Sequence, residues 1–236
     1  MEITLIRHAQ PDWEPADTAV DEPTLTAHGF AQSRATAEAL ASEQFDALYV
    51  SPLRRARETA QPIAERLGLE PQVQSWLREL ELPSLEGQTA EQVHAFFRDG
   101  RLREPDRWWD GYPGGESFRH FYERVAGGTD ALLTGDHAMH VHEDSGHQLW
   151  QVPDWDAHIV VVAHEGTIAV MTSHLLGIEP NPWTALRFTI AWTGIARLHT
   201  AQLGSGAVWS LAAFNHTDHL ASLAGPGDGR AIRTVR

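Results

Sequence analysis

Short apolar runs alternate along the chain with longer segments in which apolar residues recur at helical spacing. The runs at 2–6 and 159–163 are typical of strands buried on both faces of a parallel sheet. Further strands are predicted at 45–50, 71–75, 186–199 and 207–214, the last two as a candidate hairpin. Helices are predicted over 27–42, 52–67, 89–98, 116–133 and 167–176.

Potential N-cap residues mark the N-termini of three of these predicted helices. Thr26 is the expected N-cap of the first helix, and Thr89 with Gln92 resembles a capping box. Ser51 is predicted to cap a helix that begins at Pro52 and springs directly from the end of a strand.

Strands that alternate with helices indicate an α/β protein, a three-layer αβα sandwich with a mostly parallel central sheet. We expect a single domain over 1–220, followed by a disordered tail at 221–236. Within the domain, a cap-like region is predicted at about 77–118 and an insertion or flap at about 135–157. The Trp-rich stretch within 104–116 is interpreted as a loop whose aromatic residues pack in the core or a lid.

The amino-acid composition of the chain limits the partners and reactions that it can support. The formal net charge of −14 disfavours nucleic acid or an anionic membrane as partner. All 18 basic residues are arginine and there is no cysteine, which excludes lysine Schiff-base chemistry, a Walker-type phosphate loop and thiolate sites. Without a recognisable signal segment or apolar span, the protein is expected to be cytoplasmic.

Three predicted strands end in residues suited to phosphate chemistry. Those residues are Arg7 and His8, then Ser51 with Arg54 and Arg55, and finally His164 with Glu165. Because ligands bind beyond the carboxyl ends of parallel strands, these groups should converge on one pocket. Arginine binds phosphate oxygens through two parallel N–H groups, and a neutral imidazole can attack phosphorus. A local cationic pocket in an acidic protein is therefore expected.

An ordered set of motifs from residue 3 to about 220 resembles the histidine phosphatase superfamily, whose members share the phosphoglycerate mutase-like fold. The matching segments are Leu5-Ile6-Arg7-His8-Ala9, Leu25-Thr26 with Gly29 and Gln32, Ser51-Pro52-Leu53-Arg54-Arg55-Ala56 with Thr59, Leu77-Arg78-Glu79, Gly114-Gly115-Glu116-Ser117, Val162-Ala163-His164, and Asn215 to Leu220.

The resemblance implies a role for five residues. His8 matches the nucleophile that becomes phosphorylated, and Arg7, Arg55 and His164 match the residues that hold the phosphate. Glu79 matches the acid that protonates the leaving group and later activates water.

Three residues complicate this assignment. Glu14 stands where the family often has an asparagine that contacts the phosphoryl group, which places that contact in question. Glu165 follows the second histidine directly and competes with Glu79 as the proton donor, although the pattern around Glu79 favours Glu79. Arg54 is expected to face solvent or a neighbouring carboxylate.

The leading functional prediction is a metal-independent phosphomonoester phosphatase that uses a phosphohistidine intermediate on His8 and needs no cofactor. A mutase is the alternative, although residues 79–85 lack the Arg-His or Arg-Tyr-Gly stretch of the family's mutases. A non-catalytic phosphate-binding domain is the third reading. The histidines at 137, 140, 142 and 147 do not have zinc-type spacing and fit a solvated flap. The expected partner is a small phosphorylated substrate; its identity and the oligomeric state stay open.

Overall fold

The computed structural model describes residues 1–223, and the part of the tail predicted to be disordered that begins at 224 lies outside them. Within this range eight strands form one sheet. They are β1 (Glu2–Arg7), β2 (Ala47–Val50), β3 (Pro71–Val73), β4 (His140–Asp144), β5 (His147–Gln151), β6 (His158–Ala163), β7 (Ile195–Leu203) and β8 (Gly206–His216). The strand order is β3-β2-β6-β1-β7-β8-β5-β4.

Helices cover both faces of this sheet, as predicted for a three-layer sandwich. The α-helices are α1 (Ala27–Ala39), α2 (Arg54–Leu67), α3 (Ala90–Arg101), α4 (Phe118–Gly135), α5 (Glu165–Leu175) and α6 (Thr184–Arg187). Short 3₁₀ turns occur at Ser75–Leu77, Pro105–Asp110 and Asp218–Leu220. Helices α1 and α2 pack on one face, while α4 and α5 pack on the other.

The central strands are apolar at successive positions because their side chains alternate between two covered faces. In β1, Ile3 and Leu5 enter the core beneath α4 and α5, whereas Ile6 enters the core beneath α1 and α2. In β6, Val161 and Val162 divide between the same two cores. Both central strands are thereby locked in register.

The prediction of a mostly parallel sheet is wrong for half of the molecule. The pairs β1–β6, β2–β6 and β2–β3 are parallel, but β1–β7, β7–β8, β5–β8 and β4–β5 are antiparallel. The parallel half contains the βα units, in which a helix returns the chain to the opposite end of the sheet. The antiparallel half contains hairpins, which reverse direction through a short turn.

The segment 135–157, expected as an insertion or flap, contains the hairpin β4–β5, which extends the sheet by pairing β5 with β8. The strand predicted from 186 begins only at Ile195. Residues 184–194 instead form α6 and an irregular loop. This loop is hydrogen-bonded to the end of β1, where Thr193 N–H donates to Arg7 O.

The capping predictions have mixed outcomes. Thr26 and Thr89 cap α1 and α3 as expected, and Thr89 forms the complete capping box with Gln92. The Ser51 prediction is wrong, because α2 starts at Arg54 with Leu53 as its N-cap. Over residues 1–223, no helix is long and apolar enough to cross a membrane.

Candidate active site

The ends of β1, β6 and β2 lie side by side at one edge of the sheet. In the parallel register Arg7 is opposite Ala163, and Val50 is opposite Val162. The backbone continues this pairing one residue further, since His8 N–H donates to Ala163 O at 2.9 Å. The residues that follow these strands are therefore neighbours, as the sequence predicted.

His8 is 4% exposed, and its environment selects one protonation state. Its Nδ1 lies 2.8 Å from Ala9 O, and a carbonyl oxygen can only accept, so Nδ1 carries the proton. Burial, followed by the charges of Arg55 and Arg7, holds the pKa of His8 well below its usual range. The imidazole is thus neutral, with an unprotonated lone pair on Nε2.

Arg7 and Arg55 supply the positive charge of the pocket. Arg55 is 5% exposed and its guanidinium lies 5.0 Å from the ring of Trp13. Arg7 Nη1 donates to Ile190 O at 2.6 Å and forms an ion pair with Glu165 at 3.2 Å. Burial lowers the pKa of both arginines, but an arginine with so high a starting pKa stays charged.

His164 is fully buried beside the nucleophile, with the two imidazole centres 5.1 Å apart. Burial and then the Arg55 charge hold its pKa well below the usual range, so it is also neutral. Ser51 Oγ lies 2.7 Å from His164 Nε2. Leu53 N–H donates to the same oxygen at 3.4 Å, which leaves the serine proton free to be donated to Nε2. We therefore expect the Nδ1–H tautomer of His164.

Three buried nitrogens of this pocket lack a hydrogen-bond partner among the described residues: Arg7 Nε, Arg55 Nε and His164 Nδ1. Buried polar groups are almost always paired, and unpaired ones are costly. Two of the three belong to charged guanidinium groups, and we expect the third to carry a proton. An anion placed among them would satisfy all three, so the arrangement suits a phosphoryl group.

Glu79 reaches the pocket from the loop after Leu77. Its Oε1 accepts from Leu80 N–H and its Oε2 accepts from Gly166 N–H, both at 2.9 Å. A Cβ at Gly166 would displace the Glu79 carboxylate from this position, so glycine here allows the carboxylate to approach the start of α5. Burial raises the pKa of Glu79, which favours a protonated carboxyl.

The remaining sequence candidates occupy different surroundings. Glu165 is 32% exposed in its ion pair with Arg7. Arg54 is exposed and its Nε donates to Glu58 at 2.7 Å, as expected for a residue that faces solvent or a carboxylate. Glu14 is exposed in a turn.

Arg124, which the sequence did not predict as a site residue, holds the loop that carries Glu79. Its Nη2 and Nε donate to the two carboxylate oxygens of Glu116 at 2.7 and 3.0 Å. Its Nη1 donates to the carbonyl oxygens of Trp76 and Arg78. The Gly-Gly-Glu-Ser motif was the available signal, because Glu116 belongs to it and is 6% exposed.

A cavity of about 530 Å³ opens beside Glu79, Arg7 and Gly166. Its walls include Trp108, for which core or lid packing was the favoured interpretation of the sequence. Among the side chains that the structure describes, no three His, Asp or Glu residues come together as a metal site.

The model of the histidine phosphatase superfamily, branch 1, matches residues 3–208. The chain belongs to the histidine phosphatase superfamily. The predicted family is thereby confirmed.

Relatives of this histidine phosphatase include named phosphatases, in agreement with the predicted activity, and also named phosphoglycerate mutases. It is 30% identical over 190 residues to glucosyl-3-phosphoglycerate phosphatase of Mycolicibacterium vanbaalenii, an alignment covering 78% of each chain. It is 28% identical over 184 residues to phosphoserine phosphatase 1 of Hydrogenobacter thermophilus, covering 76% of this chain and 78% of the relative. The solved structure of a mycobacterial glucosyl-3-phosphoglycerate phosphatase superposes with a TM-score of 0.69 at 26% identity, covering 92% of this chain and 99% of that one.

Replacing Ser51 in this histidine phosphatase by alanine should lower kcat about tenfold, because His164 Nε2 loses the hydroxyl that fixes its tautomer. Nitrogen-15 NMR of the imidazole should show the Nδ1–H form in the wild type and a mixture in the variant. Ser33→Ala is the matched control, since Ser33 is also buried but donates to Thr59 O. An unchanged tautomer in Ser51→Ala would contradict the assignment.

Arg124→Met should lower kcat for alkyl esters by at least about tenfold, because the Glu79 loop loses its anchor. It should also reduce the free energy of unfolding by about 3 kcal/mol, since Glu116 is left without its partner. Arg197→Met is the control for stability alone: it breaks the comparable pair with Glu43. Steady-state kinetics and urea unfolding separate the two effects. Equal kcat in both variants would show that Arg124 does not position Glu79.

Proposed function

We propose that this enzyme hydrolyses small phosphomonoesters through a phosphohistidine formed on His8 Nε2. The observation that carries the proposal is a neutral imidazole with a free lone pair, set among three buried nitrogens that have no hydrogen-bond partner in the described structure. The first group is a nucleophile at neutral pH, and the other three are suited to the oxygens of the phosphoryl group.

In the first half-reaction, Nε2 of His8 attacks phosphorus and forms an N–P bond. The bond from phosphorus to the ester oxygen breaks, and its electron pair stays on that oxygen. Arg7, Arg55 and His164 stabilise the negative charge on the other phosphoryl oxygens. Glu79 donates its proton to the departing oxygen, so the product leaves as a neutral alcohol.

In the second half-reaction, the Glu79 carboxylate takes a proton from water while the water oxygen attacks phosphorus. The N–P bond breaks and its electron pair returns to Nε2, which releases inorganic phosphate. Glu79 is protonated again and His8 is neutral again, so the cycle closes with one water consumed. Each proton in this sequence is moved by a side chain of the protein.

Glu79 suits the acid role better than Glu165. Burial raises the pKa of Glu79, while Glu165 is committed to an ion pair with Arg7 at 3.2 Å. The named relatives act on phosphoserine or glucosyl-3-phosphoglycerate, which supports a small phosphomonoester as the substrate class. A mutase and a non-catalytic phosphate-binding domain stay as the alternatives, and no observation on the site favours either.

Replacing His8 by alanine should reduce phosphate release from every ester by more than about a thousandfold, because no nucleophile remains. Activity of the wild type should persist in a chelator, since each step uses protein groups. His140→Ala, at an exposed position of β4, is the histidine control and should keep full activity. The measurement is phosphate release from a panel of monoesters, with an alkaline denaturing quench to trap the acid-labile phosphoenzyme. Wild-type turnover in His8→Ala would refute the proposal.

The two candidate acids should respond differently to glutamine. Glu79→Gln should lower kcat/KM for alkyl phosphates by about a hundredfold while affecting that for activated aryl phosphates far less, since kcat/KM reports the first half-reaction and only a poor leaving group needs the proton there. Wild-type activity on alkyl esters should fall as pH rises through the raised pKa of Glu79, because the proton is then lost. That alkaline decline should be absent in Glu79→Gln. If Glu165→Gln shows this leaving-group dependence instead, Glu165 is the acid.

A further inference from the structure

The side of the pocket on which the leaving group departs follows from the position of its proton donor. Under the proposed function, the ester oxygen must come within hydrogen-bond distance of Glu79. Glu79, Arg7 and Gly166 line one end of the cavity of about 530 Å³. The alcohol part of the substrate therefore extends into this cavity, whose volume suits a small organic molecule.

Aromatic rings dominate the rest of the cavity wall. They come from two separate parts of the chain, the segment 97–121 and the segment 183–192: Phe97, Trp108, Tyr112, Phe118, Phe121, Trp183 and Trp192. Trp108 stacks near Phe118 with ring centres 6.1 Å apart and meets the edge of Trp183 at 6.3 Å. The rings thus hold one another in place before any ligand binds.

Charge in the cavity argues against a second ionic group on the substrate. The cationic lining residues are Arg7 and Arg101, and the acidic ones are Glu165 and Glu79, which the mechanism uses in its protonated form. Neither arginine stands ready for a carboxylate of the substrate, because Arg7 is paired with Glu165 and Arg101 also has a partner of its own. Among the lining residues, uncharged hydroxyl groups are few, namely Thr189 and Tyr112, so a sugar would find few hydrogen-bond partners.

A cationic leaving group is disfavoured for a different reason. The guanidinium of Arg103 already lies 5.8 Å from the Trp108 ring centre and 5.0 Å from that of Tyr112. These two π-systems are therefore already polarised by one cation, and a second cation would be repelled by it. A neutral ring can still contact the walls of the cavity by dispersion and by burial of apolar surface.

We propose that the cavity selects phosphomonoesters of neutral alcohols that carry an aromatic ring. This inference rests on the proposed function and deepens it. It differs from what the names of the relatives would suggest, since phosphoserine and glucosyl-3-phosphoglycerate carry ionic groups and the latter also a sugar.

The test compares kcat/KM for esters of unactivated alcohols: ethyl, 2-phenylethyl, phosphoserine, phosphocholine and glucosyl-3-phosphoglycerate. We expect 2-phenylethyl phosphate to exceed ethyl phosphate by at least about tenfold and to exceed the other three. Similar values for ethyl and 2-phenylethyl phosphate would overturn the proposal. A higher value for phosphoserine, phosphocholine or the glucosyl ester would also overturn it.

Variants locate the preference in the cavity. Trp183→Ala should reduce the ratio of 2-phenylethyl to ethyl turnover to nearly one, while Trp183→Phe should retain most of it because a ring remains. Trp155→Ala is the matched control, since Trp155 is 45% exposed and is not among the cavity residues. If the ratio of 2-phenylethyl to ethyl turnover is unchanged in both Trp183→Ala and Trp108→Ala, these rings do not form the selective wall of the cavity.

A binding measurement separates this inference from the proposed function. With His8→Ala, quenching of tryptophan fluorescence reports binding without turnover. One possible outcome is that 2-phenylethyl phosphate binds more tightly than ethyl phosphate while the wild type releases phosphate from no ester. This result would overturn the phosphatase mechanism but support the proposed selectivity of the cavity. Equal binding of the two esters would overturn the proposed selectivity of the cavity. The phosphatase mechanism would then be judged separately, from the kinetics of His8→Ala.

Discussion

Three adjacent parallel strands, β2, β6 and β1, end at the same edge of the sheet, and the site depends on their relative register. Arg7 pairs with Ala163 and Val50 pairs with Val162, so His8, His164 and Ser51 follow as neighbours. A shift of one residue would turn every side chain to the opposite face and expose apolar residues that both cores now bury. Apolar packing on both faces of the sheet therefore fixes the positions of His8, His164 and Ser51, independently of the contacts that these side chains make.

Burial then sets the charge of each group. The same desolvation lowers the pKa of His8 and raises that of Glu79, which yields a neutral nucleophile and favours a protonated acid within one pocket. Arg7 and Arg55 resist this effect because guanidinium is so strongly basic. In the proposed mechanism, a phosphoryl anion adds the opposite charge and accepts from the nitrogens that lack partners in the described structure.

The parts of the site that the sequence predicted are those encoded locally. Arg7-His8 and His164 follow directly from apolar runs, and such runs identify central strands by themselves. Ser51 also has a local signature, which predicts a helix N-cap. In the structure its hydroxyl contacts His164, which lies 113 residues away in the sequence, and it does not cap α2. Arg124 and the loop before β7 are comparable cases, because their contacts join distant segments. Local pattern indicates what a residue prefers, and tertiary contacts decide what it does.

The cavity and the phosphate pocket are built on different segments but share one rigid connection. Arg7 Nη1 donates to Ile190 O, and Thr193 N–H donates to Arg7 O, so the loop that supplies one cavity wall is tied to the residue beside the nucleophile. Asn215 holds the same loop, since its Oδ1 accepts from Ala191 N–H at 2.8 Å. A leaving group seated against this wall is thereby placed relative to His8 Nε2. Because attack on phosphorus depends steeply on alignment, contacts with the cavity act on kcat as well as on binding.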